Sequence, residues 1–180
     1  MEIAKTSIQG LLLIKPKVFG DDRGYFFESW SKKSYQELGL DIDFVQDNQS
    51  LSQKGVLRGL HFQNPPFAQG KLVRVVKGAV MDVVVDIRKA SITYGQHVCF
   101  KLSENNKNVV WIPPGFAHGF VTLEEDTVFS YKCTEVYNKE SEDSLLWNDP
   151  DLDIDWGIDN PLVSEKDSVA GSFKTFKSQF

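Results

Sequence analysis

Val128-Phe129-Ser130-Tyr131-Lys132-Cys133-Thr134 alternates without a break. Phe129, Tyr131 and Cys133 fall on one parity, and Ser130, Lys132 and Thr134 on the other. A period of two places the two sets on opposite faces of a β-strand. The same signal recurs upstream. Leu72 to Val76 is apolar on both parities and closes at Lys77-Gly78. Val80 to Ile87 carries Asp82 and Asp86 on one parity, with Met81, Val83, Val85 and Ile87 on the other. His97 to Leu102, Asn108 to Ile112 and Phe120 to Leu123 follow as short strands separated by Gly, Pro, Asn and Glu. Many short strands with little helix predict an all-β fold, a sandwich or barrel. One helix is expected from Ser31 to Leu38, with Ser31 as N-cap and Gly39 as its stop. No linker, low-complexity stretch or repeat divides the chain, so residues 1–180 read as one domain. Residues 148–161 look acidic and loop-like, and the last dozen, with Gly171 and scattered Phe and Lys, look like a loosely held tail.

The 180 residues are 41% hydrophobic and 25% charged, enough apolar material for a proper core. A net charge of -5 without a basic stripe argues against nucleic acid as a partner. Cys99 and Cys133 sit inside apolar strand runs and are not spaced as a metal pair, which suggests buried free thiols in a reducing compartment. No run approaches the ~20 apolar residues of a membrane span, and Met1 to Lys5 lead into no segment of signal-peptide type. The expectation is a soluble, cytoplasmic protein with no membrane partner.

Three residues suit proton chemistry beside a carbonyl. His61, in Arg58-Gly59-Leu60-His61-Phe62-Gln63, is of the residue type that usually serves as a base near neutral pH. Lys71 opens its strand and could supply positive charge to a developing enolate. Tyr131 lies on the apolar parity, so its hydroxyl points inward and needs a partner, structural or catalytic. Residue type alone leaves a satisfied core histidine and a snorkelling lysine equally open.

A metal would need more ligands. Pro113, Gly115 and His118 resemble the Pro-x-Gly-x-x-His turn of the second cupin motif. The first cupin motif wants His-x-His and a following Glu, whereas here it reads His61-Phe62-Gln63. With three histidines in the chain, one of them (His97) on another strand, a three-ligand divalent site is not expected. Arg23 could clamp a phosphate, Glu28 could accept sugar or base hydrogen bonds, and Phe26 or Tyr137 could stack on a flat heterocycle. An exposed turn beside Asp21-Asp22 explains Arg23 equally well. Arg58, next to His61 on a strand, would need an anionic partner if buried.

Taken together, Arg23-Gly24 with Phe26-x-Glu28, Gln46-Asp47-Asn48-x-Ser50, Arg58 to Gln63, Gly70 to Val75 and Pro114 to Phe120 resemble the dTDP-4-dehydrorhamnose 3,5-epimerases. Tyr131 with Tyr137-Asn138, and Ser164-Glu165-Lys166-Asp167, extend the match to nearly the whole chain. The resemblance implies a cofactor-free homodimer with a cupin-like jelly-roll barrel that inverts C3 and C5 of a 4-keto hexose carried on dTDP. It implies His61 as proton acceptor, Asp167 as its carboxylate, Tyr131 as proton donor on the opposite face and Lys71 beside the keto oxygen. It gives Arg23, Phe26, Glu28, Gln46, Asn48, Arg58, His118, Glu142 and Lys166 to the nucleotide-sugar, and Tyr137 to the thymine. Asp82, on an otherwise apolar strand, is the alternative partner for His61.

Overall fold

The computed structural model describes residues 1–180 as fourteen strands with two short helices and one 3-10 turn. One sheet runs, in spatial order, β1 (Glu2–Lys5), β2 (Leu12–Lys15), β10 (Val109–Ile112), β7 (Lys71–Lys77), β12 (Thr127–Cys133) and β5 (Gln46–Ser52). The second runs β13 (Glu142–Ser144), β6 (Val56–Gln63), β11 (Phe116–Thr122), β8 (Ala79–Asp86) and β9 (His97–Ser103), with β14 (Leu162–Val163) parallel to β6. A separate hairpin joins β3 (Phe19–Asp21) to β4 (Gly24–Phe26). Apart from β14 the named strand pairs are antiparallel, and the two sheets face each other as a cupin-like barrel.

The space between the sheets is filled by side chains from both. Val73, Val75, Val110, Ile112 and Phe129 from the first sheet meet Val80, Val84, Phe100, Leu102, Phe116 and Phe120 from the second. Ring stacking of Phe120 on Phe129, 4.1 Å between centroids, ties the two walls together. The alternation of β12 works as expected: Phe129 and Cys133 are buried, and Tyr131 packs against this central cluster. Helix α1 (Lys32–Glu37) is capped by Ser31, whose Oγ accepts the Ser34 N–H, and stops at Gly39 with φ +81°. It lays Tyr35 on the outer face of the first sheet, against Ile14, Leu72, Val109 and Trp111.

Strand β8 is buried on both faces. Its polar parity, with Asp82 and Val84, turns toward the lumen. Its apolar parity, Val83 and Val85 continuing to Ile87, turns outward and needs a cover. That cover corrects the expected loose tail. Leu152 and Trp156 of the acidic loop and Phe173, Phe176 and Phe180 of the tail pack there. Asp149 fastens the tail, accepting from Ser172 Oγ (2.9 Å) and the Phe173 N–H (2.8 Å), while Lys89 N–H donates to the Phe180 carbonyl. Two further expectations change. Strand β11 begins at Phe116 rather than Phe120, because β8 pairs with it from Phe116 directly after the Gly115 turn and β6 joins on the other side from His118. Cys99 is exposed on β9, and Cys133 alone is a buried thiol.

Asp86, wholly buried at the end of β8, organises the next loop. It accepts from Arg88 Nε (2.8 Å), Ser91 Oγ (2.6 Å) and Thr93 Oγ1 (2.6 Å). Burial pushes its carboxyl up, but these bonds and the Arg88 backbone N–H reverse that and bring it down to about 2. The folded-state value lies below the unfolded one, so the contribution, roughly 2 kcal/mol, is complete above about pH 5 and fades as pH falls toward 2. Asp86→Asn should therefore lower the melting temperature at pH 7 and flatten the loss of stability between pH 5 and 2. Parallel melting curves for parent and variant across that range would contradict this role.

Candidate active site

Two neighbouring glycines shape the site. Gly59 on β6, at φ +135°, lies against Gly119 on β11, where a Cβ on Gly59 would meet the Gly119 Cα at 2.5 Å. The pairing register shifts between His118 and Phe120, and His118 stands opposite His61. The same irregularity directs the Gly59 N–H to Asp167 Oδ2, 3.3 Å away.

Asp167 arrives from the far end of the chain. Ser164 caps the short helix α2 (Glu165–Ser168), its Oγ accepting the Asp167 N–H at 3.1 Å, and the carboxylate is buried behind His61. His61 Nε2 to Asp167 Oδ1 is 2.6 Å. Burial alone would raise the Asp167 carboxyl; bonds from His61, Gly59 and Ser164 and the attraction of His61 bring it below the usual carboxylate range. An ionised Asp167 accepts a hydrogen bond from the Nε2–H of His61, and in that tautomer Nδ1 carries the lone pair. Asp82 is not the partner of His61. Its Oδ2 lies 2.7 Å from Nε2 of His118, so the site holds two histidine–carboxylate pairs. Oδ1 of Asp82 is buried without a hydrogen bond.

His61, Lys71, Tyr131, Gln46, Asn48, Tyr137 and Glu142 line one cavity of about 380 Å³, together with Phe62, Gln63 and Gln69. An adjoining cavity of about 230 Å³ shares His61, Lys71 and Tyr131 and adds Arg58 and His118. His61 comes from the second sheet, whereas Tyr131 and Lys71 come from the first, so imidazole and phenol approach from opposite walls. Lys71 Nζ reaches the His61 carbonyl at 3.4 Å. Burial pushes its ammonium below the ordinary lysine value, and Cys133, Asp82 and Glu142 oppose that push. The Tyr131 phenol moves up, chiefly through burial, and stays protonated at neutral pH. Arg58 is exposed and donates to Ser52 Oγ (3.2 Å), so it needs no buried anion. At the mouth, Lys166 and the Tyr137 hydroxyl both reach Glu142 Oε2, at 2.7 and 3.0 Å.

Three residues named from the sequence lie elsewhere. Arg23 and Phe26 line a recess within the β3–β4 hairpin, and Glu28 lines another beside α1, where it accepts from Ser34 Oγ. Arg23 is tied to Asp21 on the surface, as an exposed turn would have it. Gln63 and Gln69 are site residues that sequence reasoning did not single out; Gln63 was visible only as the last letter of its motif. No three His, Cys, Asp or Glu side chains converge as a metal-binding group, and no helix is long and apolar enough to cross a membrane.

The family model that describes dTDP-4-dehydrorhamnose 3,5-epimerase matches residues 5–175. The chain belongs to the dTDP-4-dehydrorhamnose 3,5-epimerase family. It is 52% identical over 168 residues to the dTDP-4-dehydrorhamnose 3,5-epimerase of Shigella flexneri, covering 93% of each chain. Among solved structures, the epimerase of Elizabethkingia anophelis superposes with a TM-score of 0.92 at 51% identity, covering 97% of both chains. The Legionella pneumophila dTDP-6-deoxy-D-glucose-3,5-epimerase, solved with dTDP-4-keto-L-rhamnose, gives 0.93 at 50% identity over 98% of this chain and 94% of that one. As a member of this epimerase family the chain is an isomerase, and its largely polar-lined cavity suits a sugar rather than an apolar ligand.

Proposed function

We propose that this chain inverts C3 and C5 of dTDP-4-keto-6-deoxy-D-glucose without a cofactor, giving dTDP-4-keto-L-rhamnose. The observation that carries the reading is the shared cavity in which His61, backed by Asp167, faces Tyr131 from the opposite sheet with Lys71 beside both. C3 and C5 both flank the C4 carbonyl, so one enolate chemistry serves both. His61 Nδ1 takes the proton, Lys71 stabilises charge on the keto oxygen, and the Tyr131 hydroxyl returns a proton to the other face. Gln46, Asn48, Arg58, His118, Glu142 and Lys166 hold the nucleotide-sugar, and Tyr137 stacks on its base. Binding energy from the remote nucleotide keeps the ring aligned through two successive inversions. The test is proton NMR of this substrate in D2O with purified protein and no added cofactor: deuterium should enter at C3 and at C5. Exchange at a single carbon would make the chain a mono-epimerase instead.

The same reading includes a homodimer. Phe19, Tyr25 and Phe26 of the hairpin are 54%, 58% and 67% exposed, a dense apolar surface for a free chain. Strand β5, which lines the cavity, is an unpaired sheet edge. A second copy would cover such surfaces and would let Arg23, Phe26 and Glu28 reach a nucleotide that their own chain does not bring them near. The solution mass should be close to twice 20.4 kDa. A mass of one chain at every concentration would remove the dimer and with it the role of those three residues.

A further inference from the structure

Gln63, at the end of β6, is almost fully buried, yet all of its amide hydrogen-bonding is directed at two loops. Its Nε2 donates to the carbonyls of Phe67 (2.7 Å) and Val136 (3.1 Å), and its Oε1 accepts the Asn138 N–H (2.8 Å). Two carbonyls and one N–H leave the amide a single orientation. The two backbone groups gripped in the second loop flank Tyr137. The Tyr137 N–H itself goes to Gln46 Oε1 (2.9 Å), and its hydroxyl to Glu142. Gln69 adds a further tie, from Nε2 to the Glu135 carbonyl (2.8 Å), and Gly70 N–H bonds Thr134 Oγ1. Tyr137 itself remains 54% exposed at the cavity mouth, so nothing packed over the ring fixes its position. The backbone beneath it and the hydroxyl bond to Glu142 do.

We propose that Gln63 is a positioning residue that sets the Tyr137 ring over the cavity mouth and thereby fixes how tightly the pyrimidine end of a nucleoside-diphosphate sugar is held. This rests on the reading of the cavity as a nucleotide-sugar site. A shorter or apolar side chain would leave the Phe67 and Val136 carbonyls and the Asn138 N–H unpaired in a buried place, and the loop would move to find water. The ring would then lose its preorganised pose, and binding would weaken more than chemistry, since Lys71 and Tyr131 sit on β7 and β12, and His61, although on the same strand as Gln63, is held by Asp167 and by the ladder to β11.

The experiment is a double-mutant cycle of Gln63→Leu with Tyr137→Ala, read by calorimetric titration with dTDP and by kcat and KM on the keto-sugar substrate. In the parent background Gln63→Leu should weaken dTDP binding about tenfold and raise KM by a similar factor, with a smaller fall in kcat. In the Tyr137→Ala background the same substitution should change binding by less than about twofold. A general structural role would give equal losses in both backgrounds, and that result would overturn the proposal. Should Gln63→Leu not fold, Gln63→Glu runs the same cycle, because it keeps the acceptor for Asn138 and sets an oxygen against the two carbonyls. A parent protein that does not bind dTDP would sink the nucleotide reading. Binding by the parent with additive losses would sink only the role of Gln63.

Discussion

His61→Asn is expected to abolish deuterium entry at both C3 and C5, a loss of ~10²–10⁴-fold in exchange rate, the usual cost of removing a general base. The asparagine amide stops short of the Nε2 position, but the buried carboxylate keeps the Gly59 N–H as a partner, so the local fold should survive. What disappears is the lone pair of Nδ1. Both carbons should fail together, because a single base serves both in this mechanism. The competing assignment is His118, which stands opposite His61 in the strand register, lines the adjoining cavity and has its own carboxylate in Asp82. If His118 were the base at one of the two positions, exchange would persist at that carbon in the His61 variant and vanish in His118→Asn. Persistent exchange at either carbon, measured by NMR in D2O, therefore removes His61 from its role there. Melting curves of the variant would separate loss of the base from loss of the fold.

The strands that were legible in the sequence share one property: at least one parity is apolar. Strand β12 showed it plainly, and β7 and β8 showed it as runs of Val. Strand β5 did not, because Gln46, Asn48 and Ser50 are half-buried at the cavities while Asp47 and Gln49 on the other parity are exposed, so both parities are polar. The strand most concerned with ligand was thus the one that periodicity hid, and only the family resemblance singled out Gln46 and Asn48. The tail was misread for a related reason. Phe173, Phe176 and Phe180 are spaced three and four apart as on a helix face, yet the segment forms only a 3-10 turn, and their destination, the outward apolar face of β8, is set by tertiary structure. Asp167 lies 106 residues from His61. No local pattern joins them, and residue types alone favoured neither Asp167 nor Asp82. The structure separates the two because β8 delivers Asp82 to His118 across the β8–β11 ladder, while the Ser164 cap turns Asp167 toward Gly59 and His61. Arg23, Phe26 and Glu28 were chosen by resemblance, and a single chain leaves them on its surface.

Tyr131→Phe should separate proton removal from inversion. The substitution keeps the ring that packs on the central cluster beside Phe129, and it deletes only the hydroxyl. His61 on the opposite sheet and Asp167 on α2 are untouched. The variant should still wash deuterium into the substrate, since His61 can remove a proton and, after exchange with solvent, return a deuteron to the same face. Inverted product requires delivery from the other side, where the phenol stands, and its rate should fall by ~10²-fold or more. Exchange without inversion is thus the expected signature, read from one sample by NMR: the deuterium content of recovered substrate against the amount of epimerised sugar. The raised position of the Tyr131 proton, due chiefly to burial, adds a second expectation. Because the donor remains a phenol well above neutrality, the inversion rate of the parent should not fall with deprotonation of Tyr131 between pH 7 and 9. A variant that inverts both carbons at the parent rate would show that water or another group supplies the proton, and Tyr131 would then be a wall of the cavity rather than its acid.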